Sequence, residues 1–544
     1  MPTVSQLLVE YLKKEGVNVV FGYPGASVLP LYTALENSGI KNILVRHEQN
    51  AGHAANGYAR ITGRPGVCMA TSGPGATNLI TAIATAYMDS VPMVVITGQV
   101  MSELIGRDVF QEADITGACE PFVKHSYLIK EAADTPRVIK EAFHIASTGR
   151  PGPVLVDIPV DIMRSVISDD ASLYPKTVNI TGYKPCLDGH KMQIKRAADA
   201  IKNAQKPVIC AGGGAFISGA QKLVAQLAAQ IDAPVISTLM GTGIMPKNNP
   251  LYLGMFGTHG TARSNFALYN ADLLIVCGAR LGDRAVARAN QLSSGTTVIH
   301  IDIDPAEIGK NIKTEIPIVG DLSRTLSKLI KLVEKADHGS WIKDCTKSDI
   351  KISKAEKKDV SSLGINPAEF IEKLTSRLPD GCTLCADVGR NQMWSARHFM
   401  CDNGRFLTSG GMGTMGYSIP AAIGAKLANK TAFTVAVCGD GAFQMAMNEL
   451  ATVVQSNVDI KIVIMNNHCL GLINELYDQN GDNDRTCTDL GRCPDYKKIA
   501  EAYGVGYMHL DSACDLSDFT ERLIKHEGCV IAEVEVGEDI TSFA

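Results

Sequence analysis

Asp440 lies in a Gly439-Asp440-Gly441 turn, and Asn467 closes the amide pair Asn466-Asn467. Each turn follows an aliphatic run, TVAVC before the first and IKIVIM before the second. Between them Phe443, Met447, Leu450 and Val454 recur at helical spacing, which predicts one apolar helical face. A strand–helix–strand unit of this kind crosses over right-handed, so both strand ends emerge on the same edge of a parallel sheet, where ligands of open α/β sheets bind. A carboxylate and an amide meeting there are hard oxygen ligands for Mg²⁺, which also takes phosphate oxygens and water. Backbone N–H groups at the Gly441 turn and the helix start would receive that phosphate. A Gly-Asp-Gly turn alone is most often only a turn; the amide pair after the next strand is what makes it a candidate site. Glu48, after NILVRH, is a second carboxyl group at a strand end. Its residue context alone fits an ordinary ion pair with Arg46 or His47 equally well.

These residues need a scaffold of parallel strands, and the rest of the chain supplies the pattern. Short aliphatic runs alternate with longer helical stretches: NILVRH, GVCMAT, PMVVITG and GPVLVDIP; then KPVICAGGG, APVIST, DLLIVCG and TVIHIDID; then TLCADVG, FTVAVCGDG, IKIVIMNN and VIAEVEV. Two stretches break the alternation, 168–189 and the Lys- and Asp-rich 336–362, and both read as solvated linkers. They leave three α/β domains, 1–167, 190–335 and 363–544, as expected of a 544-residue chain too long for one core. The amino terminus reads as a capped amphipathic helix running into a strand, without signal-peptide organisation.

Composition excludes several classes. The chain is 45% apolar and 20% charged, an ordinary globular balance. A net charge of −5 and the lack of a basic stripe speak against a nucleic-acid surface. No run reaches the ~20 apolar residues of a membrane span. The 15 cysteines are scattered, many inside apolar runs such as LLIVCGAR and FTVAVCGD, which predicts reduced core thiols and a cytoplasmic protein. Cys382 and Cys385 form one close pair, without the second pair that a structural metal site needs.

The Gly-Asp-Gly and Asn-Asn signature resembles that of thiamine-diphosphate enzymes. Nearly the whole chain resembles one family among them, the catalytic subunit of acetohydroxyacid (acetolactate) synthase. The resemblance rests on FGYPGASVLPLY (21–32), RHEQNAGHAANGYAR (46–60), TSGPGATNLITAIATAYMDSVPMVVITGQV (71–100), FQE (110–112), GRPGPVLVDIP (149–159) and SGGMGTMGYSIPAAIGAK (409–426). It implies three doubly wound parallel-sheet domains: pyrimidine-binding, FAD-type middle, and diphosphate-binding.

The resemblance also assigns roles. Glu48 would hydrogen-bond the aminopyrimidine N1′ and promote the imino tautomer that takes the cofactor's C–H proton, with Pro24, Gly25 and Pro74 beside the ring. Met415 would prop the bent cofactor, the Gly413 carbonyl would receive its 4′-amino group, and Val388, Gly389, Arg390 and Asn391 would form the other wall. Gly439, Gly441, Ala442, Leu470 and Gly471 would cradle the diphosphate, and Asp440, Asn467 and the Cys469 backbone carbonyl would hold Mg²⁺. In the middle block the implied cofactor is FAD, largely structural because the reaction has no net redox change. It would be held by Arg150, Gly212, Gly213, Gly214, Thr238, Leu239, His259, Arg280, Asp302 and Asp321. Phe110, Gln111, Arg284, Leu472 and Leu476 would face the 2-oxo-acid substrates.

The chain departs from the family at several of these places. It has Arg390-Asn391 where Gln-His is usual, RLGDR (280–284) for RFDDR, Val160 for Lys, and Leu476 for the Trp that favours 2-oxobutanoate as acceptor. It ends at VEVGEDITSFA, before most of the family's C-terminal tail. The implied reaction decarboxylates pyruvate and joins the two-carbon unit to a second 2-oxo acid, in branched-chain amino-acid biosynthesis. A homodimer or tetramer and a small regulatory subunit are the implied partners. The alternatives are another flavin-containing thiamine-diphosphate enzyme, such as a pyruvate oxidase or a carboligase or C–C hydrolase with a different substrate, and a non-catalytic cofactor-binding subunit. Retention of Glu48, Met415, Asp440 and Asn467 speaks against the last.

Overall fold

The computed structural model describes residues 1–544 except 169–173, 287–291, 293–294, 357–363, 482–484, 492, 513–514, 538–539 and 544, and except the side chains of 348–356. Among the described residues, eighteen strands are distributed over three six-stranded sheets. The first holds β1 (Val19–Gly22), β2 (Lys41–Leu44), β3 (Gly66–Ala70), β4 (Met93–Gln99), β5 (His125–Leu128) and β6 (Pro153–Pro159). The second holds β7 (Pro207–Ala211), β8 (Val235–Ser237), β9 (Tyr252–Met255), β10 (Leu273–Cys277), β11 (Thr297–Asp302) and β12 (Ile316–Val319). The third holds β13 (Thr383–Ala386), β14 (Arg405–Thr408), β15 (Thr434–Gly439), β16 (Lys461–Asn466), β17 (Gly506–Leu510) and β18 (Val530–Glu535).

Every pairing between these strands is parallel. Helices cover both faces, so the central strands are largely aliphatic: β4, β6, β10 and β16 are buried from end to end, with polar residues such as Gln99, Asp157 and Asn466 among them. The first and third sheets share one topology, β2-β1-β3-β4-β6-β5 and β14-β13-β15-β16-β18-β17. The middle sheet runs β12-β11-β10-β7-β8-β9, with its order reversing between β7 and β10, as in dinucleotide-binding folds. Three α/β sheets are therefore what the structure contains.

Several local expectations are corrected. The stretch 336–362 is not a solvated linker throughout, because Gly339–Glu356 is a helix whose Trp341 and Cys345 are buried in the core of the middle sheet. The apolar helix after Gly441 is broken: Asp440–Ala446 is α-helical, Met447–Glu449 is a 3₁₀ turn, and Leu450–Ser456 resumes the helix with Val454 exposed. Glu449 lies in that turn, and its buried carboxylate accepts the Arg46 backbone N–H at 2.8 Å and Asn50 Nδ2 at 2.9 Å from the first domain. Cys382 lies beside Cys401, and Cys385, its neighbour in the close pair of the sequence, is a buried free thiol. Cys382 precedes β13 and Cys401 precedes the neighbouring β14, which brings their Cα atoms to 6.8 Å.

The first and third units are packed directly on each other through the helices Glu48–Thr62 and Ser418–Ala428. Glycines set the approach: a Cβ on Gly424 would lie 1.8 Å from the Ala54 carbonyl oxygen, and one on Gly57 would lie 2.1 Å from that of Ala421. Backbone cannot yield as a flexible side chain can, so Gly424→Ala is predicted to overpack the pair at a cost of ~1–3 kcal/mol. Its thermal midpoint should fall clearly below that of wild type; an unchanged midpoint would show that the helices separate freely.

Candidate cofactor-binding site

The order of the third sheet turns between β13 and β15, and a cleft opens at the carboxyl ends of these strands and β16. Three helices begin there: Arg390–His398 after β13, Asp440–Ala446 after β15 and Gly471–Gln479 after β16. Their first turns bring backbone N–H groups and the positive ends of the helix dipoles to the cleft, a setting for a polyanion. Gly389 opens the first of these helices with φ +132°, a conformation that favours glycine. His468 has φ +55° in the left-handed region and turns the chain just after Asn467. The following segment is pinned by Leu470 N–H donating to the Thr488 carbonyl at 2.8 Å and Leu490 N–H to that of His468 at 3.0 Å.

Val388, Gly389, Arg390, Asn391, Met415, Gly439, Asp440, Gly441, Ala442, Asn467, Cys469, Leu470, Gly471 and Leu472 all line this one cleft. Asp440 and Asn467 are thus brought together. Asp440 is buried, and desolvation pushes its carboxyl up to about 6. No Lys or Arg side chain pairs with it among the described residues; its neighbours are the Gly441 N–H at 2.9 Å and the Cys493 thiol at 3.7 Å. A buried carboxyl group of this kind, beside an amide, is a suitable seat for a divalent cation. The Cys469 carbonyl accepts the Gly471 N–H at 2.9 Å, which uses one of its two lone pairs. The glycines form a cradle: a Cβ on Gly471 would lie 2.6 Å from Asn467 Nδ2 and 2.7 Å from Arg390 Nη1, and one on Gly441 would lie 2.9 Å from Leu470 Cδ2. Thiamine diphosphate and Mg²⁺ both fit this donor set.

Met415 enters the cleft from the loop that joins β14 to the helix Ser418–Ala428. Asp387, which the sequence reading did not single out, organises that loop. Its buried carboxyl accepts the backbone N–H groups of Val388 at 2.9 Å, Gly416 at 2.9 Å and Ser418 at 2.8 Å, while burial raises its pKa. Gly413 has φ +69° and does not line the cleft. The loop is also held by the first domain: Asp89 accepts the Gly410 and Gly411 N–H groups at 3.1 and 2.7 Å and pairs with Arg60 at 2.8 Å. Trp394, Met465 and Ile473 line the cleft as well, as apolar residues of helix and strand that gave no separate signal in the sequence.

Glu48 is not in that cleft. It is the first residue of the helix Glu48–Thr62, after the His47 cap, and β2 ends earlier than expected, at Leu44. Its Oε2 accepts Asn78 Nδ2 at 2.9 Å, and a Cβ on Gly75 would lie 3.3 Å from its Oε1. Pro24 and Gly25 follow β1, and Pro74 begins a short helix after β3, so this group gathers at the switch point of the first sheet. Gly25 packs on Thr71, where a Cβ would lie 2.5 Å from that side chain. The chain therefore carries two separate clusters.

The middle sheet collects the third set. Gly212, Gly213 and Gly214 follow β7, and Gly278 to Arg280 follow β10, on either side of its switch point. Backbone packs on backbone there: Gly212 N–H donates to the Cys277 carbonyl at 3.0 Å, and a Cβ on Gly212 would lie 2.2 Å from the Gly278 oxygen. Thr238 and Leu239 follow β8, with the Thr238 N–H bonded to the Ala211 carbonyl at 3.0 Å. Arg150 reaches over from the first domain and pairs with Asp304 at 3.2 Å and Glu307 at 2.7 Å, two acids the sequence reading passed over. Asp302 is pushed up to about 6 by burial. Asp321 caps the helix Leu322–Leu329 through the Arg324 N–H, His259 stacks on Phe543 at 5.1 Å, and the Arg280 carbonyl accepts Asn311 Nδ2 at 2.8 Å. A nucleotide at this switch point fits the topology, while the carboxylates already bonded to Arg150 would share it.

The substrate set is dispersed. Only Leu472 lines the cleft. Phe110 is 87% exposed, and Gln111, with φ +60°, packs against Gly73. The Arg284 side chain is 79% exposed, and its Nε lies 3.9 Å from the still more exposed Asp283. Leu476 is 43% exposed on the helix Gly471–Gln479.

Comparison with known proteins agrees with this layout. Family models described as thiamine pyrophosphate enzyme match three segments: the N-terminal TPP binding domain at residues 2–118, the central domain at 194–329 and the C-terminal TPP binding domain at 387–534. A probable acetolactate synthase large subunit of Methanococcus aeolicus is 40% identical over 96% of this chain and 90% of its own length. An acetolactate synthase of Arthrospira platensis is 42% identical over 98% and 94%, and an acetolactate synthase large subunit of Lactococcus lactis 41% over 97% and 91%. The cleft at the strand ends, the three-sheet architecture and these full-length similarities lead to one assignment: the chain belongs to the thiamine-pyrophosphate enzymes and, among them, to the acetolactate synthase large-subunit family.

Proposed function

We propose that this protein is a catalytic subunit of acetolactate synthase type, which decarboxylates pyruvate and joins the two-carbon unit to a second 2-oxo acid. The observation that carries the reading is the meeting of Asp440 and Asn467 in one cleft at three helix starts. Thiamine diphosphate, once bound, supplies the electron sink for decarboxylation and ligation. The residues do the rest. Asp440, Asn467 and the Cys469 carbonyl would hold Mg²⁺, and N–H groups at the three helix starts would receive diphosphate oxygens. Met415, which lines the cleft, would pack against the bound cofactor. Glu48 holds a proton at the aminopyrimidine N1′. Arg284 offers a bidentate fork to the second acid's carboxylate.

Because Glu48 lies outside the cleft of its own chain, we infer that the working site joins the Glu48 cluster of one copy to the cleft of another, in a homodimer or tetramer. FAD at the middle switch point, a small regulatory partner suggested by relatives named large subunits, and a cytoplasmic location belong to the same proposal. Among the described residues no helix is long and apolar enough to cross a membrane. Incubation of the purified protein with pyruvate, thiamine diphosphate and Mg²⁺, followed by mass spectrometry, should yield 2-acetolactate. Turnover that depends on oxygen or phosphate would favour a pyruvate-oxidase-like enzyme instead.

Leu476 bears on acceptor choice. With leucine where the family has tryptophan, the pocket lacks the flat wall that grips the extra methyl group of 2-oxobutanoate. One methylene in an apolar pocket is worth only ~1–3 kcal/mol, roughly 10–200-fold. Competition between pyruvate and 2-oxobutanoate should therefore show little bias, and Leu476→Trp should raise it. A wild-type enzyme that already favours 2-oxobutanoate tens-fold would remove Leu476 from this role.

A further inference from the structure

Asp440 has two neighbours that a magnesium site does not require. Its Oδ1 accepts the Gly441 N–H at 2.9 Å, while its Oδ2 accepts the Cys493 thiol at 3.7 Å. The imidazole of His468 completes the group: one ligand atom each from Asp440, His468 and Cys493 lie within 4.8 Å of one another. Three parts of the chain build this meeting. Asp440 opens the helix after β15, and His468 turns the chain after β16 with φ +55°. Cys493 precedes the helix Tyr496–Tyr503, and Asp489 and Leu490, a few residues upstream, are tied to the His468 turn by a bridge to Cys469 and by the Leu490 N–H on the His468 carbonyl at 3.0 Å. Asp440 is buried, and the other two are partly buried. Mg²⁺ takes oxygen donors and water and has no use for sulfur or imidazole. A thiolate, an imidazole and a carboxylate are instead a donor set for Zn²⁺, whose sites with three protein ligands keep a fourth position open. The spacing agrees: with Zn–S of about 2.3 Å and Zn–O of about 2.0–2.1 Å, a tetrahedral pair of S and O ligands lies about 3.6 Å apart, against 3.7 Å here. His468 Nε2 lies 3.4 Å from Glu535 Oε2, the kind of outer carboxylate that orients a metal-binding imidazole.

We propose that Asp440, His468 and Cys493 form a second cation site, selective for ions of the Zn²⁺ class, which shares Asp440 with the Mg²⁺ site so that occupation by one ion excludes the other. On binding, the S–H bond of Cys493 breaks, its proton leaves to solvent, and the sulfur gives the electron pair to the ion. No oxidation state changes. A thiophilic cation thereby takes from Mg²⁺ the carboxylate on which Mg²⁺ depends, which makes the subunit sensitive to such cations. The site itself stands apart from the thiamine-diphosphate reading of the cleft; only the competition with Mg²⁺ rests on it.

The test is titration of the full-length apoprotein with Co²⁺, which reports a thiolate ligand by a sulfur-to-metal charge-transfer band, followed by displacement with Zn²⁺. Wild type should show the band. Cys493→Ser should lose it and bind Zn²⁺ at least about a hundredfold more weakly, since loss of even an outer partner of a metal site costs ~10–100-fold. His468→Ala should weaken Zn²⁺ binding by a similar factor and show the band only at higher Co²⁺. Cys186→Ser and Cys487→Ser, at the two exposed free cysteines, should change nothing. In protein loaded with Mg²⁺ and thiamine diphosphate, equilibrium dialysis against Zn²⁺ should remove Mg²⁺ from wild type one for one. Cys493→Ser should keep its Mg²⁺, with a Mg²⁺-dependent affinity for thiamine diphosphate within about twofold of wild type. Absence of the band, or a band that survives Cys493→Ser, would overturn the site. Zn²⁺ bound through Cys493 with Mg²⁺ still in place would overturn the exclusion. A Cys493-dependent band in wild-type protein that binds no thiamine diphosphate would uphold the site and overturn the reading of the cleft instead.

Discussion

Asp440→Ala is expected to abolish Mg²⁺-dependent binding of thiamine diphosphate while the three sheets stay folded. The side chain is buried at the end of β15, its carboxyl pushed up to about 6 by desolvation, and among the described residues its neighbours are the Gly441 N–H, the Cys493 thiol and His468, with no Lys or Arg paired to it. The fold therefore loses little when it is removed. On the proposed ligand set the metal would lose the one charged ligand of the three, because Asn467 and the Cys469 carbonyl offer neutral oxygens. Without Mg²⁺ a diphosphate would meet only the three helix starts and Arg390 in this cleft, with no divalent counter-ion to balance its charge. Calorimetry with and without Mg²⁺ reads this directly. Affinity that is unchanged in the variant, or insensitive to Mg²⁺ in wild type, would sink the metal assignment. Asp440→Asn, which keeps an oxygen donor without the charge, should retain a weak Mg²⁺-dependent fraction.

The contrast between the legible and illegible parts of the chain has physical causes. Central parallel strands are covered on both faces and must be continuously apolar, so β4, β6, β10, β15 and β16 stood out as aliphatic runs. The strands that escaped, β5, β9, β12, β14 and β17, each lie at the edge of a sheet. An edge strand has one hydrogen-bonded neighbour, and HSYL, RFLT or GYMHL carries polar residues that an aliphatic pattern rejects. The middle helix Gly339–Glu356 was hidden in the same way: its Lys- and Asp-rich face reads as a solvated linker, while Trp341 and Cys345 supply the few apolar contacts that dock it.

The site divides along the same line. Asp440 and Asn467 were legible because turn chemistry and strand ends fix where they go before any tertiary contact forms. Asp387 and Glu449 were not, because each acts through partners far away in sequence: Ser418 for the first and Arg46 for the second. A buried acid announces itself in a sequence only when its partner is nearby. Arg284 and Phe110 show the converse limit, since side chains 79% and 87% exposed in one chain have no wall to act on within that chain.

Glu48→Gln should bind thiamine diphosphate nearly as wild type does and lose most of its turnover. The glutamate sits at the start of the helix Glu48–Thr62, with one oxygen held by Asn78 at 2.9 Å and the other facing Gly75, so an amide of the same shape leaves the local structure in place. What it removes is an oxygen able to share a proton with the aminopyrimidine N1′. General acid–base terms are worth ~10²–10⁴-fold in rate, and a loss of that size at full cofactor occupancy is the expected result. A variant that keeps about half the wild-type rate would exclude Glu48 from the chemistry. The same variant tests where the acid comes from. Glu48 does not line the cleft of its own chain, so in a two-fold assembly each site would take Glu48 from one copy and Asp440 from the other. Exchanging Glu48→Gln subunits with Asp440→Ala subunits then creates hybrid dimers in which one site carries both substitutions and the other carries neither. Activity should reappear on mixing two preparations that are each inactive, rising toward a quarter of the wild-type value at equal amounts if half the dimers are hybrid and each holds one intact site. Subunit exchange verified by native mass spectrometry with no recovery would place Glu48 and Asp440 in the same chain's site and overturn the shared arrangement.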